Sequence, residues 1–182
     1  MSDLEQNKDK EKQKAEQIEI QIGEPFASQI DYACSDQKLL EYVDKQMQLI
    51  SEGQEELANI ELSMLGYAFD FIDFAKRAAQ LELKLQEEDL LLFDKLLEAV
   101  HNMVIKGEIS QETLNGIAKG ATGYLGVVIM KNMKADWVQT NIGMAVNFNG
   151  TNAFLYNRIA RRILNGAEDD MISFYEGIKQ YS

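Results

Sequence analysis

The stretch Gly116-Ile117-Ala118-Lys119-Gly120-Ala121-Thr122-Gly123-Tyr124-Leu125-Gly126 decides how this chain is read, because it is either a phosphate-cradling loop or one side of a helix. Ser110, just upstream, is suited to accept a hydrogen bond from the first free N–H groups of a helix. From there Leu114, Ile117, Ala121, Tyr124, Leu125, Val128 and Ile129 recur at helical spacing. The helix reading wins, and it places Gly116, Gly120 and Gly123 on a single bare face. Each of these glycines weakens a helix by roughly 1 kcal/mol relative to alanine, so close packing has to offset the loss. A groove for a peptide or small ligand needs the same bare face, which makes Gly116, Gly120 and Gly123 a candidate ligand groove with Tyr124 and Trp137 nearby.

Three further helices precede this one. Ser35 or Asp36 can cap the first, in which Leu39, Leu40, Val43, Met47 and Ile50 form an apolar stripe ending near Gly53. The second is expected over residues 55 to about 84, with Leu57, Ile60, Met64, Leu65, Ala68, Phe69, Ile72 and Ala75 inward. The third begins near Glu87, Glu88 and Asp89, whose carboxylates suit the positive end of the helix dipole, and carries Leu92, Leu96, Val100, Met103 and Val104 to Gly107.

Downstream the period changes. Trp137 and Val138, then Met144, Val146 and Phe148 at alternate positions, then Phe154, read as a small antiparallel meander, with Asn149-Gly150 as a type I′ turn. A short helix from Tyr156 to Leu164 closes at Asn165-Gly166, and Asp169 or Asp170 starts another with Ile172, Phe174, Tyr175 and Ile178. The expected fold is therefore α+β and helix-dominated: a four-helix bundle-like part, then a small antiparallel β-meander and two short C-terminal helices. Tyr124, Trp137, Phe154, Phe174 and Tyr175 are the expected core joining the meander to the helices.

The first residues, up to about Ile22, interleave lysines with acids and hold few large apolar groups, which implies a disordered charged arm over residues 1–25. Gly23, Glu24 and Pro25, the last being the single proline, mark the boundary to one α+β domain over residues 26–182. With 182 residues and 46% hydrophobic side chains, that domain has enough apolar surface for a substantial core. Lys and Arg total 18 against 30 Asp and Glu, a net charge of -12, which disfavours nucleic acid and anionic membranes as partners. No apolar run is long enough to span a bilayer. The single Cys34 and the lack of an apolar leader point to a reducing, cytoplasmic setting.

Several patterns resemble chemistry. Gly120-Ala121-Thr122-Gly123-Tyr124-Leu125-Gly126 looks like the dinucleotide loop of extended short-chain dehydrogenases, but the strand that must precede such a loop is replaced by helical patterning, so no cofactor is expected. Glu98 and His101 have the Glu-x-x-His spacing of di-iron bundles, and a chain with one histidine lacks the second pair. No metal site is expected, and His101 reads as a half-exposed helix residue. Asp70 and Asp73 sit among Phe69, Phe71, Ile72 and Phe74, the starting point for a carboxylate-based hydrolase reading. Arg158, Arg161 and Arg162 are expected to pair with Glu168, Asp169 and Asp170 or with the acidic helices.

Gly120-x-x-Gly-Tyr-Leu-Gly, Asp136-Trp137-Val138, Arg161-Arg162-Ile163-Leu164-Asn165-Gly166 and Phe174-Tyr175 together resemble bacterial domains of unknown function. In those domains a Tyr-Leu-Gly helix leads to a tryptophan-bearing strand, a small meander and an Arg-x-x-Asn-Gly helix end. The resemblance implies a bacterial origin and the α+β layout, and brings no activity or catalytic residues. Acids outnumber bases heavily over residues 41–98. The leading expectation is a non-enzymatic protein-binding module, an immunity- or antitoxin-like inhibitor that meets a basic partner with Glu55, Glu56, Glu61, Asp70 and Asp73. The alternative is a small-ligand or peptide-binding regulator using the glycine face.

Overall fold

A computed structural model describes residues 36–181. The chain divides into two units after Leu40. Of the first, only residues 36–40 are described, and there the Asp36 carboxylate accepts the Leu39 N–H at 3.1 Å, the cap suggested by the sequence. The charged arm over residues 1–25, the boundary at Gly23–Pro25 and Cys34 lie outside the described residues.

Among the described residues, six helices and one three-stranded sheet follow in the order α1 (Gln37–Ser51), α2 (Glu55–Ala79), α3 (Leu90–Ile105), α4 (Gln111–Asn132), β1 (Asp136–Thr140), β2 (Gly143–Phe148), β3 (Thr151–Ala153), α5 (Leu155–Asn165) and α6 (Met171–Lys179). Single 3₁₀ turns sit before α3 (Glu87–Asp89) and after α5 (Gly166–Asp169). The fold is a helix-dominated α+β arrangement. Ser110 caps α4 by accepting the Thr113 N–H at 3.2 Å, and Asp170 caps α6 by accepting the Ser173 N–H at 2.7 Å. The sheet is antiparallel throughout in the order β1-β2-β3, with Trp137 opposite Val146 and Val146 opposite Ala153. Asn149 and Gly150 both take positive φ (48° and 91°), as a type I′ turn demands. Phe154 belongs to no strand; it is the residue at which α5 begins.

Two expectations about α2 are corrected. The helix stops at Ala79, not near residue 84, because Gln80 turns left-handed (φ 54°), its N–H closing onto the Lys76 carbonyl and the next N–H, of Leu81, onto the Ala75 carbonyl. Beyond it the apolar pattern alternates, with Leu83 and Leu85 buried between exposed Glu82 and Lys84, so extended chain suits that segment better than helix. The buried face is also rotated. Ala58, Glu61, Leu65, Ala68, Phe71 and Ala75 face inward, while Leu57, Ile60, Met64, Phe69 and Ile72 are only half-buried.

Small residues explain that rotation. The most extensive helix–helix contact in the structure joins α2 and α4, and an added Cβ at Gly123 would meet the Met64 carbonyl and lie 2.9 Å from the Ala68 nitrogen. Gly120 is nearly as tight, with Phe71 Cβ at 3.1 Å. Glycine on one helix and alanine on the other let two backbones touch, so the medium-sized apolar residues flank the contact. Below it Phe71, Phe93 and Tyr124 form an aromatic cluster, with Phe93 and Tyr124 stacked at 4.9 Å. The Tyr124 hydroxyl reaches the Lys84 carbonyl at 2.7 Å, which pins the segment after α2. Trp137 packs onto Gly126, which has no side chain to hold it off. Of the expected core aromatics, Tyr124, Trp137 and Tyr175 are fully buried, whereas Phe154 and Phe174 are half-buried.

Candidate functional site

The residues expected to meet a partner fall into three different environments. Glu55 and Glu56 are exposed in the first turn of α2, where the helix dipole favours them. Asp70 is exposed, and Asp73 is half-buried with its carbonyl accepting Arg77 Nε at 3.3 Å; neither lines the two cavities described below. Glu61 is the correction. Its side chain is fully buried on the inward face of α2, so it is no part of a contact surface.

Around Glu61 a polar cluster crosses from helix to sheet. From α1, the Gln46 amide donates to the Glu61 carboxylate and to the Tyr42 carbonyl, and the Tyr42 hydroxyl donates to the Glu61 carbonyl at 3.0 Å. Lys45 lies between two acids: its ammonium is 3.7 Å from Glu61 and 2.6 Å from Asp136 at the start of β1. Burial pushes the Glu61 carboxyl above its ordinary value; Lys45 and the Gln46 amide pull the other way, and the nearby Asp136 adds to the rise. The Tyr42 phenol is pushed up by burial and by the Glu61 charge, against the influence of the neighbouring Trp137 indole. Glu61 Oε1, Gln46 Oε1 and Trp137 Nε1 are buried without a hydrogen-bond partner among the described residues. Of these, Glu61 Oε1 still faces the Lys45 ammonium at 3.7 Å, while a buried amide oxygen or indole N–H left without a partner carries a desolvation cost.

The arginine cluster is committed internally, as its spacing suggested. Arg158 and Arg161 both pair with Asp169, at 2.7 and 2.9 Å. Arg162, buried at 1% exposure, grips Asp94 with two parallel hydrogen bonds of 2.8 and 2.9 Å, reaches Glu98 at 2.6 Å and also donates to the Asp94 carbonyl. Burial alone would raise the Asp94 carboxyl, but Arg162 and the Met171 N–H hold it below the usual carboxylate value. The Arg158 guanidinium lies over the Phe174 ring. These contacts fasten α5 and α6 to α3. His101, half-buried on α3, donates from Nδ1 to the Ile163 carbonyl at 2.8 Å, so the Glu98-His101 pair is divided between two structural tasks. Among the described residues no group of three or more His, Cys, Asp or Glu side chains could hold a metal ion.

The candidate ligand groove is also placed differently from the expectation. Gly116 is exposed with open space where its Cβ would be, while Gly120 and Gly123 are buried under α2. The bare face is thus filled by another helix. An actual cavity, about 230 Å³, opens on the adjoining flank of α4, between α2, the β1–β2 turn and the start of α5. Lys119 and Thr122 line it from α4, Met64 and Tyr67 from α2, Ile142 and Met144 from the hairpin, and Phe154 and Tyr156 from α5. A second, more open cleft of about 400 Å³ lies beside the α1–α2 turn, lined by Gly53, Gln54, Glu56, Leu57, Ile60 and Gln139.

Sequence reasoning missed Lys119, Tyr67 and Ile142 as neighbours, since they come from three elements and only the fold brings them together. The signal for Glu61 was present: it lies three residues after Ala58 and four before Leu65, in phase with the buried face. Among the described residues no helix is long and apolar enough to cross a membrane. No family model matches the chain, and neither a curated protein nor a solved structure does.

Proposed function

We propose that this chain is a non-enzymatic acidic binding module that covers a basic surface of a protein partner, in the manner of an immunity- or antitoxin-like inhibitor in a bacterial cytoplasm. One observation carries the reading. Asp44, Glu52, Glu55 and Glu56 are all exposed between the middle of α1 and the first turn of α2, and the one cation within residues 44–56, Lys45, is engaged by Asp136 and Glu61. The result is a local field of one sign, able to speed encounter with a basic partner and to orient it. The cleft beside the turn offers Leu57 and Ile60 as an apolar floor next to Glu56, which suits an arginine or lysine whose stem packs while its head pairs.

The test is affinity capture of the tagged full chain from its native cells, beside a Glu52→Lys, Glu55→Lys, Glu56→Lys variant. A basic protein recovered at low salt, released at moderate salt and lost with the variant supports the proposal. An unchanged set of captured proteins with the variant, or no captured protein at all, refutes it. A second reading, a small-ligand binding regulator, is supported by the apolar cavity between α2, α4 and the hairpin.

A further inference from the structure

We propose that the cavity between α2, α4 and the β1–β2 hairpin binds a small amphipathic carboxylate, its apolar chain among Met64, Tyr67, Ile142 and Phe154 and its head on Lys119. This rests on the small-ligand reading above and names the ligand class. The lining supplies the first argument: it is built mostly from thioether, aromatic and aliphatic side chains, with Thr122 and Asn157 as neutral polar members, and among the described residues Lys119 is the single charged one in it. A cation placed at an apolar cavity, in a chain of net charge -12, is a local exception that selects for an anion.

Lys119 is available. Its ammonium makes no ion pair or side-chain hydrogen bond among the described residues, whereas Lys45, Arg158, Arg161, Arg162 and Lys179 are all paired. Of the neutral polar side chains at the wall, the Thr122 hydroxyl is spent on the Ala118 carbonyl at 2.7 Å, and Asn157, Tyr67 and Tyr156 carry no charge that could replace that of Lys119. Head-group charge follows from the same census. One ammonium, with no arginine fork beside it, matches a compact monoanion; a phosphate dianion calls for several converging donors.

Size sets the chain. About 230 Å³ falls below the roughly 300–1,000 Å³ typical of sites for drug-sized ligands, so the occupant is small. Ile142, 73% exposed at the hairpin tip, and Tyr67 and Tyr156 at 37% and 38% leave apolar surface in water that a ligand would cover.

The experiment is an NMR titration of the full chain with octanoate, 1-octanol and octylamine, repeated on Lys119→Gln, an exposed position whose change leaves the core untouched. Octanoate is expected to shift amides around residues 64–67, 119–122 and 142–144. It should bind about fivefold more tightly than 1-octanol, the upper range for a solvent-exposed charge pair. Lys119→Gln should abolish that preference without weakening the alcohol, and shortening the chain should cost about fourfold per methylene. Equal binding of octanoate and 1-octanol, or a preference that survives Lys119→Gln, overturns the carboxylate assignment while the small-ligand reading stands. If none of the three probes shifts these amides, both fall.

Discussion

Three alanine substitutions on a single helix face are expected to have graded, even opposite, effects on stability. At Gly116 an added Cβ meets nothing within 4 Å, so Gly116→Ala should recover helix propensity and stabilise by about 0.5–1 kcal/mol. At Gly120 the same Cβ lies 3.1 Å from Phe71 Cβ and 3.3 Å from the Tyr67 carbonyl, so a few tenths of an ångström of give cancel the gain and leave Gly120→Ala near neutral. At Gly123 it would overlap the Met64 carbonyl and press on the Ala68 nitrogen and Tyr67 Cβ, both 2.9 Å away. None of those atoms can swing aside by changing rotamer. The two helices must separate, which loosens Phe71 against Tyr124, and the net cost is about 2–3 kcal/mol. For a domain of this size, thermal unfolding should move up by roughly 1–4 °C for Gly116→Ala and down by roughly 4–12 °C for Gly123→Ala. Far-ultraviolet circular dichroism in heat and urea reads both. A Gly123→Ala protein within about 0.5 kcal/mol of the parent would refute the claim that glycine sets the α2–α4 spacing. A destabilised Gly116→Ala would mean that its open face is needed for something else.

Arg162→Ala should cost about 3–5 kcal/mol in urea unfolding, because Asp94 is left largely buried without its main partner, whereas Arg162→Met combined with Asp94→Leu should recover most of the loss. A single-variant cost below about 1 kcal/mol would show the pair to be dispensable. Glu61→Gln keeps the shape and removes the charge. Since burial raises the folded-state pKa of Glu61 above its ordinary value of 4.5, the folded chain holds the extra proton between those two values, and the parent loses stability as pH rises through that window. The loss is at most about 1.4 kcal/mol per pH unit. Glu61→Gln should therefore match the parent below pH 4.5 and exceed it at neutral pH; a parent equally stable at neutral pH would count against a raised Glu61. Asp94 works in the opposite sense: its stabilising contribution is present above the ordinary 3.8 and is lost as pH falls through the depressed folded-state value.

What the sequence made legible were features written in neighbouring residues. Ser110 and Asp170 as caps, Asn149-Gly150 as a turn and the helical reading of the glycine-rich string all depend on local backbone chemistry, and all are found. The end of α2 was misread because Leu81, Leu83 and Leu85 extend an apolar run whose period has changed from helical to alternating. The turn of α2 about its axis escaped for another reason. Propensity favours burying leucine, isoleucine and methionine, but here three alanines, Ala58, Ala68 and Ala75, share the inward line with Glu61, Leu65 and Phe71, and at Ala68 the close approach of α4 at Gly123 demands a small side chain. That distance is a property of two helices together.

The same limit applies to charge, and it bears on function. Over residues 41–98 the sequence presents one acidic block, but the structure divides it by partner. Glu61 is sealed under α1, Asp94 and Glu98 hold Arg162, and Glu87 takes Lys179 at 3.0 Å and the Tyr175 hydroxyl at 2.5 Å. Those acids maintain the fold and exert little field on a visitor, because their charge is matched within a few ångströms. What an approaching molecule senses is the remainder, in which exposed Asp44, Glu52, Glu55 and Glu56 crowd the α1–α2 end, while further along the chain exposed Asp70, Glu82 and Glu88 are interleaved with exposed Lys76, Arg77, Lys84 and Lys95. Internal pairing and this interleaving thus leave the acidic excess of the block concentrated at one end of it.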